Sequence, residues 1–178
     1  KNDFDTKSLA MMRSKLGLEM EDVFDASLFQ ELEDNLQLTE TDMTIFFRSL
    51  SEFNLEKPSE GLEIVKDAFY VPADISGEME KKWKTWFQRY ANRLEQEVIT
   101  SEVRKIKMNA VNPKYVLRNY MAQLAIDAAD TGDYNLIDDL FQLLKKPYDE
   151  QPENEKWFAK RPDWARHKVG CSMLSCSS

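Results

Sequence analysis

From Gly77 to Ile99 the large apolar residues Trp83, Trp86, Phe87, Tyr90, Leu94 and Val98 recur mostly at steps of three and four. Only a helix turns that spacing into one face, because successive residues lie about 100° apart around its axis. The stripe is mostly aromatic, so it demands a deep apolar surface to pack against. Lys81, Lys82, Lys84, Arg89, Arg93 and Glu95 occupy its flanks and back. Aromatic rings interleaved with cations also suit single-stranded nucleic acid. The chain, however, has 24 Lys and Arg against 32 Asp and Glu, a net charge of −8. That balance disfavours a phosphate backbone, and the stripe reads as core-facing with a solvated back.

The same period recurs on both sides. Leu9, Met12, Arg13 and Leu16 precede Gly17, the pattern of a helix closed by a glycine cap. Leu28, Phe29, Leu32 and Leu36 follow Asp25, read as a helix cap. Thr41 is read as opening a helix with Ile45, Phe46, Leu50 and Phe53, and Ser59 as capping a short one with Leu62, Val65, Ala68 and Phe69. Asn112-Pro113 predicts a further helix start, Asn at the cap and Pro at the first helical position. Val116, Leu117, Tyr120, Met121, Leu124, Ala125 and Ala128 would line that helix. Gly132 stops it, Asp133 caps the next, and Pro147 ends that one. The expectation is an all-α fold of roughly seven helices with a helical hairpin at 112–146. A helical domain over 1–147 is followed by an irregular tail over 148–178. With 5 Gly and 6 Pro in 178 residues, sandwiches and barrels, which need many tight turns, are disfavoured. No apolar run is long enough to span a membrane.

No complete catalytic constellation emerges from the residues. The five glycines, Gly17, Gly61, Gly77, Gly132 and Gly170, are too far apart to cradle a phosphate. The one histidine, His167, excludes a metal-binding His pair. Asp127 to Asp138 has acids and a glycine at the sixth place, but Ala129 stands where a calcium loop needs an oxygen ligand. Catalytic, cofactor-binding and metal-binding residues are therefore expected to be absent from this chain. The two cysteines, Cys171 and Cys176, sit in the last eight residues. They read either as incidental or as a redox thiol with a partner elsewhere.

Several strings carry more than their chemistry. Asn112-Pro113-Lys114-Tyr115-Val116-Leu117-Arg118-Asn119-Tyr120, then Ala125-Ile126, Gly132-Asp133-Tyr134 and Pro147-Tyr148-Asp149-Glu150-Gln151-Pro152, resemble the C-terminal region of the selenoprotein O family. Met12-Arg13-Ser14-Lys15-Leu16-Gly17-Leu18, Thr44-Ile45-Phe46-Phe47-Arg48, Pro162-Asp163-Trp164-Ala165 and Ser175-Cys176-Ser177-Ser178 resemble it too, in the same order. The resemblance implies a C-terminal fragment of a protein with a kinase-like fold. That protein would transfer AMP from ATP, with Mg2+, to hydroxyl side chains of other proteins.

On this resemblance the catalytic residues lie upstream, and the partners are the N-terminal kinase-like core of the same protein and the protein substrates. Neither nucleic acid nor membrane is expected as a partner. The implied location is the bacterial cytoplasm, or the mitochondrion in a eukaryote. Cys176 matches the place where some family members carry selenocysteine. The resemblance implies that it pairs with a cysteine of the kinase-like core, making activity redox-sensitive. A Cys171–Cys176 bond within the tail is the alternative pairing. The alternative function is a free-standing helical module that binds a protein partner through an apolar groove.

Overall fold

The computed structural model of the chain describes residues 2–168 and residue 171, with side chains from residue 6 onward. Among the described residues the regular elements are all helical: α1 (Asn2–Leu16), α2 (Asp25–Leu36), α3 (Met43–Leu50), α4 (Gly61–Val65), α5 (Gly77–Leu94), α6 (Ser101–Val111), α7 (Asn119–Ala129) and α8 (Asn135–Leu144). Short 3-10 turns cover Pro58–Glu60, Lys66–Ala68, Pro72–Asp74, Pro152–Trp157 and Asp163–Arg166. The all-α reading holds. No described helix is long and apolar enough to cross a membrane. The chain divides into two compact units, residues 1–112 and 113–178. That division falls at the start of the segment read as a hairpin.

In the first unit the α5 stripe is the core. Trp83, Trp86, Phe87 and Tyr90 are fully buried, and Phe46, Phe53 and Phe69 pack against them. Trp86 and Tyr90 stack with centroids 5.1 Å apart, as do Phe53 and Phe87 at 5.7 Å. Two polar tips are satisfied through the backbone: Trp86 Nε1 donates to Leu28 O at 3.0 Å, and Tyr90 Oη to Leu16 O at 2.6 Å, while the buried Trp83 Nε1 has no hydrogen-bond partner among the described residues. An aromatic set buried this way is no stacking platform for bases. Gly61 lets α4 approach α5, since a Cβ there would lie 2.4 Å from the Phe87 ring.

Gly17 closes α1 in a Schellman motif. Its φ is +69°, its N–H donates to Ser14 O, and Leu18 N–H donates to Arg13 O. Gly132, at φ +88°, ends α7 in the way the sequence indicates; Asp133 is not the cap of α8, whose cap position is Tyr134, and its Oδ1 instead accepts from Asn135 N–H.

Other expectations are corrected as well. Ser59 stands inside the Pro58–Glu60 turn, and the cap position of α4 is Glu60, with no side-chain cap bond. Val98 does not join the stripe: α5 ends at Leu94 and Val98 is 91% exposed. Asp42 caps α3 rather than Thr41, accepting from Ile45 N–H at 3.0 Å. Asp25 is the first residue of α2 rather than its cap, and its carboxylate serves an ion pair instead. Asn112-Pro113 does not start a helix. It ends α6, an element the apolar pattern did not reveal, because the buried face of α6 is Arg104 and Met108 while Val103 and Ile106 are exposed. Pro113 cannot continue α6 and biases Asn112 to its extended conformation. The helical hairpin is therefore α7 and α8, over 119–144, preceded by an extended segment.

In the second unit α7 and α8 pack through Tyr120, Met121, Ala125, Leu140 and Leu143, with Tyr115, Ala165 and Cys171 completing the cluster. This core is small and takes three of its eight members from outside the two helices.

Candidate functional site

Three of the family-like strings meet at one point in the first unit. Arg48 Nη1 donates to Asn109 O and Asn112 O, each at 3.0 Å, so its guanidinium closes the carbonyl end of α6. Asn112 Nδ2 donates to Lys15 O at 2.9 Å. Lys15 is half-buried with its Nζ 4.2 Å from the Phe47 ring centroid, and burial lowers its pKa. Beside this junction lies Arg104, 3% exposed, donating through Nη2 to Phe53 O. Its Nε and Nη1 have no hydrogen-bond partner among the described residues. Gly17 makes room for it, since a Cβ there would lie 2.5 Å from Arg104 Cγ. The Tyr90 phenol beside it is pushed up to about 12 by burial, which outweighs the opposing pull of the Arg104 charge.

A second polar cluster fastens the loop between α1 and α2. Arg93 donates through Nε to Asp25 at 2.8 Å, through Nη1 to Glu97 at 2.7 Å and through Nη2 to Met20 O at 2.6 Å. Glu97 Oε2 accepts from Glu19 N–H at 3.1 Å. Burial works against the Arg93 charge, but the bonds to Asp25 and Glu97 prevail and raise its pKa. A pocket of about 180 Å³ lies alongside, lined by Phe24, Leu28, Arg89 and Arg93 among others. Both of its guanidiniums are already engaged, Arg89 with Glu31 and Ser27. The pocket therefore offers an anion no free cation.

In the second unit the extended residues after Pro113 lie along the stretch after α8. Lys114 N–H and Tyr115 N–H both donate to Pro147 O, at 2.8 and 3.0 Å. Lys114 Nζ donates to Glu150 and Glu155, 2.6 Å each, and sits 5.3 Å from the Phe158 ring centroid. Burial works against that charge; the two carboxylates outweigh it and raise the lysine pKa. Tyr115 Oη donates to Gln151 O at 3.0 Å, and Gln151 Nε2 caps Leu143 O and Lys146 O at the end of α8. The Asn-Pro-Lys-Tyr and Pro-Tyr-Asp-Glu-Gln-Pro strings are thus two sides of one clasp. A lysine locked as a cation between two acids is a fastener and is unavailable as a base.

Of the two cysteines, Cys171 has a free thiol and is buried in the second core, 1% exposed. Cys176 lies outside the described residues. His167 follows the Asp163–Arg166 turn, and among the described residues it belongs to no group of His, Cys, Asp or Glu that could hold a metal ion.

The fit of these residues to ATP and Mg2+ is poor. Among the described residues no group of three His, Cys, Asp or Glu is placed to hold a metal ion. Gly77 and Gly132 have open space around them but stand alone, and Gly17 and Gly61 are filled by neighbouring side chains. Arg48, Arg93 and Lys114 are all bonded within the fold. The polar constellations were hard to foresee. Arg93 and Glu97 stand at i, i+4, a usable hint, but Arg48–Asn112 and Lys114–Glu155 join residues far apart in sequence.

Comparison with known proteins supplies what the geometry does not. A family described as protein adenylyltransferase SelO matches residues 1–145. The protein nucleotidyltransferase YdiU of Flavobacterium johnsoniae is 57% identical over 178 residues, covering 99% of this chain and 34% of the relative. That of Aromatoleum aromaticum is 47% identical over 175 residues, covering 98% and 33%, and that of Rhodopirellula baltica 46% over 181 residues, covering 95% and 34%. The chain spans about a third of the length of these relatives.

Proposed function

The chain belongs to the SelO family of protein adenylyltransferases, and from that premise we propose that it is the helical region of a longer enzyme that transfers AMP from ATP to hydroxyl side chains of other proteins. The observation that carries this reading is the family match over residues 1–145, joined to 57% identity with a named protein nucleotidyltransferase. Within that enzyme this region is a support. Its buried cations close helix ends and loops, and nucleotide and metal are held by the kinase-like core elsewhere in the protein. The protein works in the bacterial cytoplasm. Cys176 is the redox-active tail thiol of this reading. Cys171, buried among Tyr115, Met121 and Leu143, is poorly placed to meet an external thiol.

Intact-mass analysis tests the activity. The full-length protein is incubated with ATP, Mg2+ and a bacterial extract under reducing and oxidising conditions, beside residues 1–178 alone. The expected result is a gain of one AMP on the full-length protein or on extract proteins, with none from residues 1–178 alone. A Cys176→Ser variant that loses the difference between reducing and oxidising conditions supports the thiol's role. No adduct under any condition would remove the reading.

A further inference from the structure

Helix α8 carries more apolar surface than its own unit uses. At about 100° per residue, Leu143, Leu136, Leu140, Leu144, Ile137, Phe141 and Tyr134 follow one another around a single arc of roughly half the circumference. One half of that arc is satisfied: Leu140 and Leu143 are buried in the second core and Leu136 packs on it. The other half is open. Tyr134, Ile137 and Phe141 are 62%, 45% and 58% exposed. Lys145 Nζ stands 4.5 Å from the Phe141 ring centroid and still leaves most of that residue uncovered. Single exposed apolar residues are ordinary, but three large ones on one helical stripe mark a contact surface. Positions i, i+3 and i+7 are the anchors by which a helix seats in a groove.

We propose that Tyr134, Ile137 and Phe141 form the face by which this helical region docks onto the rest of its own chain, the catalytic portion outside residues 1–178. The inference rests on the reading of this chain as one region of a longer transferase. Its relatives extend over about three times this length, so a large partner lies on the same polypeptide. A tethered partner is held at high effective concentration, and a three-residue stripe is then sufficient. Asp138 and Lys145 flank the open side of the stripe, so the receiving surface is apolar with a rim of both charges.

The test places p-benzoylphenylalanine at position 141 of the full-length protein, irradiates it, and maps the crosslinked peptides by mass spectrometry. The expected product is an intramolecular crosslink to a peptide outside residues 1–178. The same probe at Asp139, exposed on the polar flank, should give a yield at least about fivefold lower. Crosslinks to a second copy, or only to residues within 1–178, or equal yields at the two positions, overturn the proposal. An Ile137→Glu variant guards against a misleading probe. The receiving peptide should then exchange its amides about tenfold faster while α7 keeps its protection; unchanged exchange overturns the proposal. The two readings fail separately. A protein that crosslinks as expected but transfers no AMP keeps the docking face and loses the activity, and the converse result does the reverse.

Discussion

The two units reach order by different means. The first is built around one long helix whose aromatic stripe is fully covered, and its ionic cluster of Asp25, Arg93 and Glu97 is itself nearly buried. The second has two shorter helices, a small core filled out from loops, and an ionic clasp whose acids, Glu150 and Glu155, face solvent. Its α8 leaves half of an apolar arc open. The difference teaches where each unit's stability resides. Packing dominates the first, where close-fitting rings lose contacts with any truncation. Clasped loops dominate the second, where each contact is individually weak and the helix faces remain free for a partner.

The sharpest way to break this contrast is to open the first core. Phe87→Ala should cost about 3–5 kcal/mol, because the ring touches Phe53, Trp83 and Trp86 and the cavity cannot collapse around Gly61. Denaturant unfolding followed by tryptophan fluorescence measures it. A loss near 1 kcal/mol would mean a loosely packed core and erase the distinction.

Alkaline titration probes the same core more gently. Burial raises the Tyr90 pKa to about 12, above the ordinary 10.0 of the unfolded chain. Below pH 10 the phenol is neutral in both states and its contribution is fully present. Above pH 10 the unfolded chain releases the proton first, so stability falls until about pH 12, by roughly 2–3 kcal/mol. A Tyr90→Phe variant should be less stable at neutral pH, lacking the bond to Leu16 O, but should lose less between pH 10 and 12. Parallel losses in the two proteins would assign the alkaline effect to other groups.

The clasp should give the smallest effect. Lys114→Met keeps much of the stem's packing against Tyr115 and Phe158 and removes two ion pairs with exposed acids, for a loss of about 1 kcal/mol. The gap between the two proteins should shrink at 1 M salt, and amide exchange at Lys114 and Tyr115 should quicken. A loss of 3 kcal/mol or more, indifferent to salt, would show the clasp to be as buried in effect as the Arg93 cluster.

Periodicity made α5, α8 and the glycine ends of α1 and α7 legible, because 3.6-residue spacing and a left-handed glycine are local properties. It missed α6, whose inward residues are Arg104 and Met108 and whose outward ones are apolar. It misread Asn112-Pro113, since Asn before Pro suits a helix start when the preceding helix goes unseen. Asp25 looked like a cap because nothing in the local sequence announces Arg93, 68 residues on. The polar junctions were illegible for the same reason: a guanidinium finds its carbonyls only after the helices have packed.

By itself, then, the sequence determined the helical class, the aromatic core and the family, each written in local spacing or in contiguous strings. The tertiary structure alone decided the role of each cation. Arg48, Arg93 and Lys114 became fasteners because folding brought distant carbonyls and carboxylates within hydrogen-bond reach. It also decided which half of the α8 arc was covered, since the helical pattern specifies an apolar face but not the surface that meets it.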